Sequence, residues 1–221
     1  MPPKHFIATA EAAFIAGLTD RQMHRIVDER LVPQSLFERQ GSQRRFTLLA
    51  AGLAKFYFAT EDVLLAGARR WVLDEITARV QRLEADMGVL ALSRLDAVDW
   101  KVARKALVID VLPYLQETLA RADEVARASA LVTADPELMG GAAVFAGTRV
   151  PVEIVLGSLA AGVGMDRLKA SYPFLTEAHV RAAAIHNEVH PRRGRPRRRW
   201  SDANPEATPV ATRVVRRTFA A

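Results

Sequence analysis

Arginines carry most of the chemistry this chain can offer. Nine of them (Arg192, Arg193, Arg195, Arg197, Arg198, Arg199, Arg213, Arg216 and Arg217) stand in residues 191–221, against only Asp202 and Glu206. A guanidinium makes charge-assisted, often bidentate hydrogen bonds to phosphate or carboxylate, so such a segment seeks nucleic acid or an acidic protein surface. Arg192–Arg199 form a bare comb of charge. Arg213, Arg216 and Arg217 instead share a short stretch with Val214, Val215 and Phe219, whose apolar anchors supply the register that charge alone lacks. A second group lies near the N-terminus. Thr19, Arg21, Gln22, His24 and Arg25 fall within seven residues, with Arg44-Arg45 further on; these are donors suited to phosphates and base edges.

Other candidates weigh less. "AVFAGTRVPV" (143–152) poses as a phosphate turn, but that chemistry asks for more glycines and a lysine. Gly147 supplies the permissive φ of a tight turn, and Pro151 fits the first turn of a following helix. Thr148 belongs to the same joint, and Arg149 is expected to brace it against Asp135 or Glu137. His186 and His190 stand four apart, which puts two imidazoles on one helix face, yet no third ligand lies nearby; no metal and no cofactor are expected. There is no Gly-x-Ser-x-Gly elbow, no His-Glu-x-x-His pair and no Gly-x-x-x-x-Gly-Lys-[Ser/Thr] loop. The chain contains no cysteine, which removes disulfides, thiolate zinc sites and cysteine nucleophiles. It reads as a binding protein, not an enzyme.

Bulk properties agree. Half of the 221 residues are hydrophobic and a quarter charged, ordinary for a globular chain. The formal net charge is +6, and residues 191–221 alone carry a surplus of seven, so the remainder is nearly neutral. No charged segment followed by an apolar run marks a secretory signal, and no stretch of ~20 apolar residues suggests a membrane span. A cytoplasmic protein without membrane contact is the expectation.

The elements that must position these residues are mostly helical. Thr9 is read as the cap of a first helix carrying Ala12, Ala13, Ile15 and Ala16, ended by Gly17-Leu18. Thr19 caps a second, Asp20 to Arg30, with Met23, Ile26 and Val27 as its inward stripe and the donors on the other side. Pro33, Gly41 and two short apolar clusters suggest a β-ribbon, after which Thr47 caps the next helix. Helical spacing then dominates to residue 130, through Trp71, Val72, Ile76, Val80 and Leu83, and later Leu107, Val108, Val111, Leu112, Leu115 and Leu119. "WKVARKALVID" is read as helix, with strand as its alternative. Leu131–Thr133 and Ala142–Ala146 are strand-like, and three short helices follow: Val152 to about Ala161, Asp166–Tyr172, and a last one capped by Thr176 and running to about Val189. Beyond Pro191, disorder is expected.

Two resemblances sharpen this reading. "TAEAAFIAGLTDRQMHRIVDERLVP…QRRFT" resembles the MerR-like and excisionase winged helix–turn–helix, departing from it at Glu29-Arg30, where a glycine often stands. The resemblance implies a recognition helix bearing Thr19, Arg21, Gln22, His24 and Arg25, and a wing bearing Arg44 and Arg45, on double-stranded DNA. "DPELMGGAAVFAGTRVPVEIVLGSLAAGVGMDRLKASYPFLTEAHVRAAA" closely resembles the domain-of-unknown-function family 433, whose members are trihelical and often look like antitoxins encoded beside a PIN-type ribonuclease toxin; a lysine often stands where Ala142 or Ala143 does. The whole is similar to longer VapB-type antitoxins. The expected architecture is mainly α: a MerR-like winged helix–turn–helix (1–55), a helical linker or dimerisation region (56–130), a trihelical domain preceded by a short β-hairpin (131–190), and a disordered basic tail (191–221). The resemblance implies an operator-binding homodimer within a hetero-oligomer, whose tail arginines enter the acidic Mg²⁺ site of the toxin. The alternative is a stand-alone DNA-binding regulator. "RRGRPRRR" is similar to an AT-hook, which lies in A·T-rich minor groove.

Overall fold

Thr19 and Gln22 show how local sequence starts an element here. In the computed structural model, which describes residues 6–83, 86–137 and 139–191, the Thr19 hydroxyl accepts from the Gln22 N–H at 3.2 Å, and Gln22 Oε1 accepts from the Thr19 N–H at 2.9 Å. This reciprocal capping box opens α2 (Asp20–Asp28). The helix before it, α1 (Thr9–Ala16), ends at Gly17 in the left-handed conformation (φ 70°). Thr9 does not cap α1, as its position suggested. It is the first helical residue, and its hydroxyl donates to the carbonyl of Arg44 at 2.9 Å.

A short strand β1 (Ile7–Ala8) and the hairpin β2 (Phe37–Gln40) and β3 (Gln43–Phe46) form an antiparallel sheet in the order β1-β3-β2, with Phe37 and Ile7 both registered on Phe46. The expected ribbon after α2 is therefore present. α3 (Leu48–Ala59), capped by Thr47, is buried along nearly its whole length. α4 (Ala66–Gln81) follows and buries Val72, Leu73, Ile76 and Val80, while Leu83 lies beyond its end and is exposed.

The segment between α4 and the next long helix corrects the sequence reading. A four-residue α5 (Met87–Leu90) leads to an antiparallel hairpin of β4 (Lys101–Arg104) and β5 (Leu107–Asp110), not to a helix. Val102 and Ile109 pair across it as its buried side, and Lys105 turns the corner in the left-handed region (φ 55°). Leu107 and Val108, read as helical core, are exposed strand residues.

α6 (Leu112–Leu131), about 30 Å long at the α-helical rise, is the beam of the structure: it packs against α1, α3 and a later helix, α9 (Glu177–Val189). At Gly52 of α3 an added Cβ would sit 2.5 Å from Leu115 Cδ2, so the absent side chain sets how closely α3 and α6 approach. β6 (Val132–Thr133) pairs antiparallel with β7 (Val144–Phe145), the hairpin expected before the last three helices. Those are α7 (Val152–Ala160), α8 (Met165–Ser171) and α9, the last capped by Thr176. Residues up to Pro191 make one body, with a continuous cluster of buried side chains from Ile7 to Val189. The expected disorder of the tail falls on residues outside those described.

Candidate functional site

The N-terminal donors converge where α2 meets the β2–β3 hairpin. Arg21 is exposed and makes no hydrogen bond or ion pair among the described residues. Arg25 pairs with Glu29 one turn on at 2.9 Å and lies over the Phe58 ring at 5.2 Å. Glu29 also takes Arg70 of α4 at 3.0 Å, so one carboxylate ties α2 to α4 through two guanidiniums. Glu29 was marked in the sequence only as a departure from the helix–turn–helix pattern, and Arg70 not at all. The Arg25–Glu29 link is an ordinary i, i+4 spacing; Arg70 is 41 residues away and carried no local signal.

Arg44 is the tie between hairpin and helix. It donates to Asp28 Oδ1 at 2.6 Å and to the His24 carbonyl at 3.1 Å, and its side chain is only 18% exposed. The Arg44 hydrogen bond holds the Asp28 carboxyl below its ordinary pKa. Arg45 donates to the Phe6 carbonyl at 2.6 Å and meets Glu38 at 3.5 Å, fastening β3 to the chain before β1. Thr19 and Gln22 are engaged with each other in the capping box. The His24 ring meets Arg44 as well, Nδ1 lying 3.5 Å from Nη1, so of the seven N-terminal candidates only Arg21 is uncommitted among the described residues. Two cations that were not read as DNA donors, Arg30 and Arg39, are exposed beside a polar cleft shared with Gln34, Asp74 and Thr77.

The Gly-Thr-Arg stretch is a joint, and Thr148 holds it. Its hydroxyl donates to the Phe145 carbonyl at 2.9 Å and accepts from the Val150 N–H at 3.1 Å, while Gly147 takes φ 73°. Arg149 is exposed and forms no ion pair with Asp135 or Glu137, so the expected brace is corrected: a hydroxyl two bonds from the backbone reaches the turn's own carbonyl, and a long guanidinium is not needed. The Asp135 carboxylate instead accepts from the Glu137 N–H at 2.9 Å. Pro151 sits at the cap of α7, one position before the first turn. His186 and His190 place their rings 4.5 Å apart; burial, then the neighbouring His190, lowers the His186 pKa. Among the described residues no group of three metal-ligating side chains gathers. No described helix is long and apolar enough to cross a membrane. Arg192, Arg193, Arg195, Arg197, Arg198, Arg199, Arg213, Val214, Val215, Arg216, Arg217 and Phe219 lie outside the described residues.

The described residues define a mainly helical protein with three small antiparallel sheets and a donor-rich junction of helix and hairpin near its N-terminus. Residues 132–185 match the family described as protein of unknown function DUF433, a span that takes in the β6–β7 hairpin, α7, α8 and most of α9. Along nearly its full length the chain is similar to an uncharacterized protein of Sinorhizobium fredii, 33% identical over 213 residues, covering 96% of this chain and 93% of the relative. The chain belongs to the family of that protein. No solved structure matches it.

Proposed function

We propose that the chain is a DNA-binding antitoxin. In this reading α2 and the β2–β3 hairpin are a MerR-like winged helix–turn–helix on operator DNA, and the arginine-rich segment after Pro191 inhibits a PIN-type ribonuclease. The observation that supports it best is the Arg44 clamp. A wing must hold a fixed attitude to its recognition helix for both to follow one duplex. Arg44, bonded to Asp28 and to the His24 carbonyl, supplies that stiffness. Arg21 on the exposed side of α2 is the phosphate-seeking donor; Arg25, shared with Glu29, must exchange a carboxylate for a phosphate to join it. Arg44 and Arg45 thus serve this function by positioning the hairpin.

The C-terminal half of the proposal follows from chemistry. PIN-type sites hold Mg²⁺ with clustered carboxylates, and an arginine delivered there pairs with them and competes for the metal's ligands. Two measurements test the two halves. Titration of a labelled duplex from the chain's own upstream region is expected to show salt-dependent binding. Arg21→Ala is expected to weaken it and to shallow the salt slope by about 0.9 for each phosphate that is no longer neutralised. An unchanged slope removes α2 from the interface. Co-expression with a neighbouring PIN-type reading frame tests the tail: removing residues 191–221 is expected to abolish inhibition and leave DNA binding largely intact. A toxin fully active beside the whole chain ends the antitoxin reading.

A further inference from the structure

A helix–turn–helix that reads a two-fold operator, as proposed above, needs a dimer, and no surface for it has been named. α6, the longest helix of the middle segment, packs against α1, α3 and α9, and its exposed positions include Glu117, Asp123, Glu124 and Arg127. The β4–β5 hairpin is different. Leu107 is 48% and Val108 61% exposed, both in a strand that pairs with β4 alone among the described residues.

The phase of the ladder shows which backbone groups are open. Antiparallel partners alternate between pairs that exchange both hydrogen bonds and pairs that exchange none. The register sets Val102 on Ile109 and Arg104 on Leu107, and the Val111 N–H donates to the Trp100 carbonyl at 3.1 Å. Trp100/Val111 is thus a bonded position, and so are Val102/Ile109 and Arg104/Leu107 two and four residues on. The N–H and C=O of Val108 therefore point away from β4, and neither bonds elsewhere among the described residues. An open edge whose centre is the apolar run Leu107-Val108-Ile109 is a template for another strand.

We propose that β5 pairs antiparallel with β5 of a second copy, with Val108 on the twofold axis. This rests on the DNA-binding reading above, which needs a dimer, and names its surface. A strand paired antiparallel with its own copy closes the assembly at two. In that register Val108 exchanges both backbone bonds with the partner's Val108, and Ile109 faces the partner's Leu107. Asp110 comes opposite the partner's Ala106, while its carboxylate accepts from the Leu112 N–H at 3.0 Å and lies 4.0 Å from the Lys101 ammonium of its own hairpin. The edge is thus complementary to itself in hydrogen bonds and apolar contact. Four residues a side is a small interface, so the dimer dissociates on dilution.

Sedimentation velocity of the full chain over a roughly hundredfold concentration range tests this. Wild type is expected to pass from monomer to dimer. Val108→Pro removes an N–H that the hairpin does not use, and is expected to leave a folded monomer throughout. Val108→Lys places a charge on the axis and is expected to do the same if the proline disturbs folding. Ile154→Lys, which changes another exposed apolar residue on α7, is expected to dimerise like wild type. Hydrogen exchange adds a direct reading: the Val108 amide is expected to be protected in the dimer and to exchange fast in Val108→Lys. A wild type monomeric at every concentration, or both Val108 variants dimerising as before, overturns the proposal. Dimerisation without DNA binding would instead leave β5 intact and sink only the functional reading.

Discussion

Arg30 occupies backbone that a glycine would hold at less cost. Its φ is 54°, and around it the Leu31 N–H reaches the Ile26 carbonyl at 2.8 Å and the Arg30 N–H the Val27 carbonyl at 3.1 Å, the paired bonds that end a helix through a left-handed residue. α1 ends the same way at Gly17. The missing glycine at Glu29-Arg30 is thus a geometric demand met by an unfavourable residue. Arg30→Gly is expected to raise stability by about 1 kcal/mol in a urea titration, since the left-handed strain outweighs the added chain entropy. His186 offers a test with pH. Its folded pKa lies below the ordinary value of about 6.5, so as pH falls through that value the unfolded chain takes up a proton the folded one resists. Stability is expected to drop from about pH 7 downwards until the folded pKa is reached, and His186→Gln to remove that part of the loss. At this scale the sequence was readable in part where partners are close: Thr19 was legible as the cap of α2, while Gln22, three residues on, was read as a donor for DNA and turns back to close the capping box. Arg44 and Arg149 were not readable, because a guanidinium reaches whatever the fold brings to it. Arg44 found Asp28, 16 residues back, and Arg149 found neither of the acids expected for it.

Helices here were legible from caps and periodicity, and the hairpin was not. Thr47, Thr176 and Gly17 mark their ends in the residues themselves. The β4–β5 turn is Lys105-Ala106, without the glycine or asparagine that usually signals a two-residue hairpin. Its apolar residues Val102, Leu107, Val108 and Ile109 also suit a helical stripe, and only the pairing of Val102 with Ile109 decides between them. α3 and α6 supply the sharpest element-level test. The Cβ of Gly52→Ala would meet Leu115, itself fully buried, at 2.5 Å. Helix propensity favours alanine, but the overpacked seam is expected to win, costing about 1–3 kcal/mol in chemical denaturation.

The three regions suggested by composition share one core, and that could not be read locally, because no short window records that α6 takes α1 and α3 on one stretch and α9 on another. Residues 6–191 are expected to unfold in a single transition with matching calorimetric and van't Hoff enthalpies. A fragment starting at residue 131 is expected to lack that transition, since Ala182, Ala183 and Ile185 of α9 would lose the face of α6. α1 touches α9 as well, although almost the entire chain lies between them. Time enters through that contact. Closing so long a loop is entropically slow and must wait until the last helix exists. On the ribosome, α1 emerges long before α9, the helix that completes its packing. Until α9 docks, the nascent chain presents an unfinished N-terminal unit, open to proteases and unready for any partner.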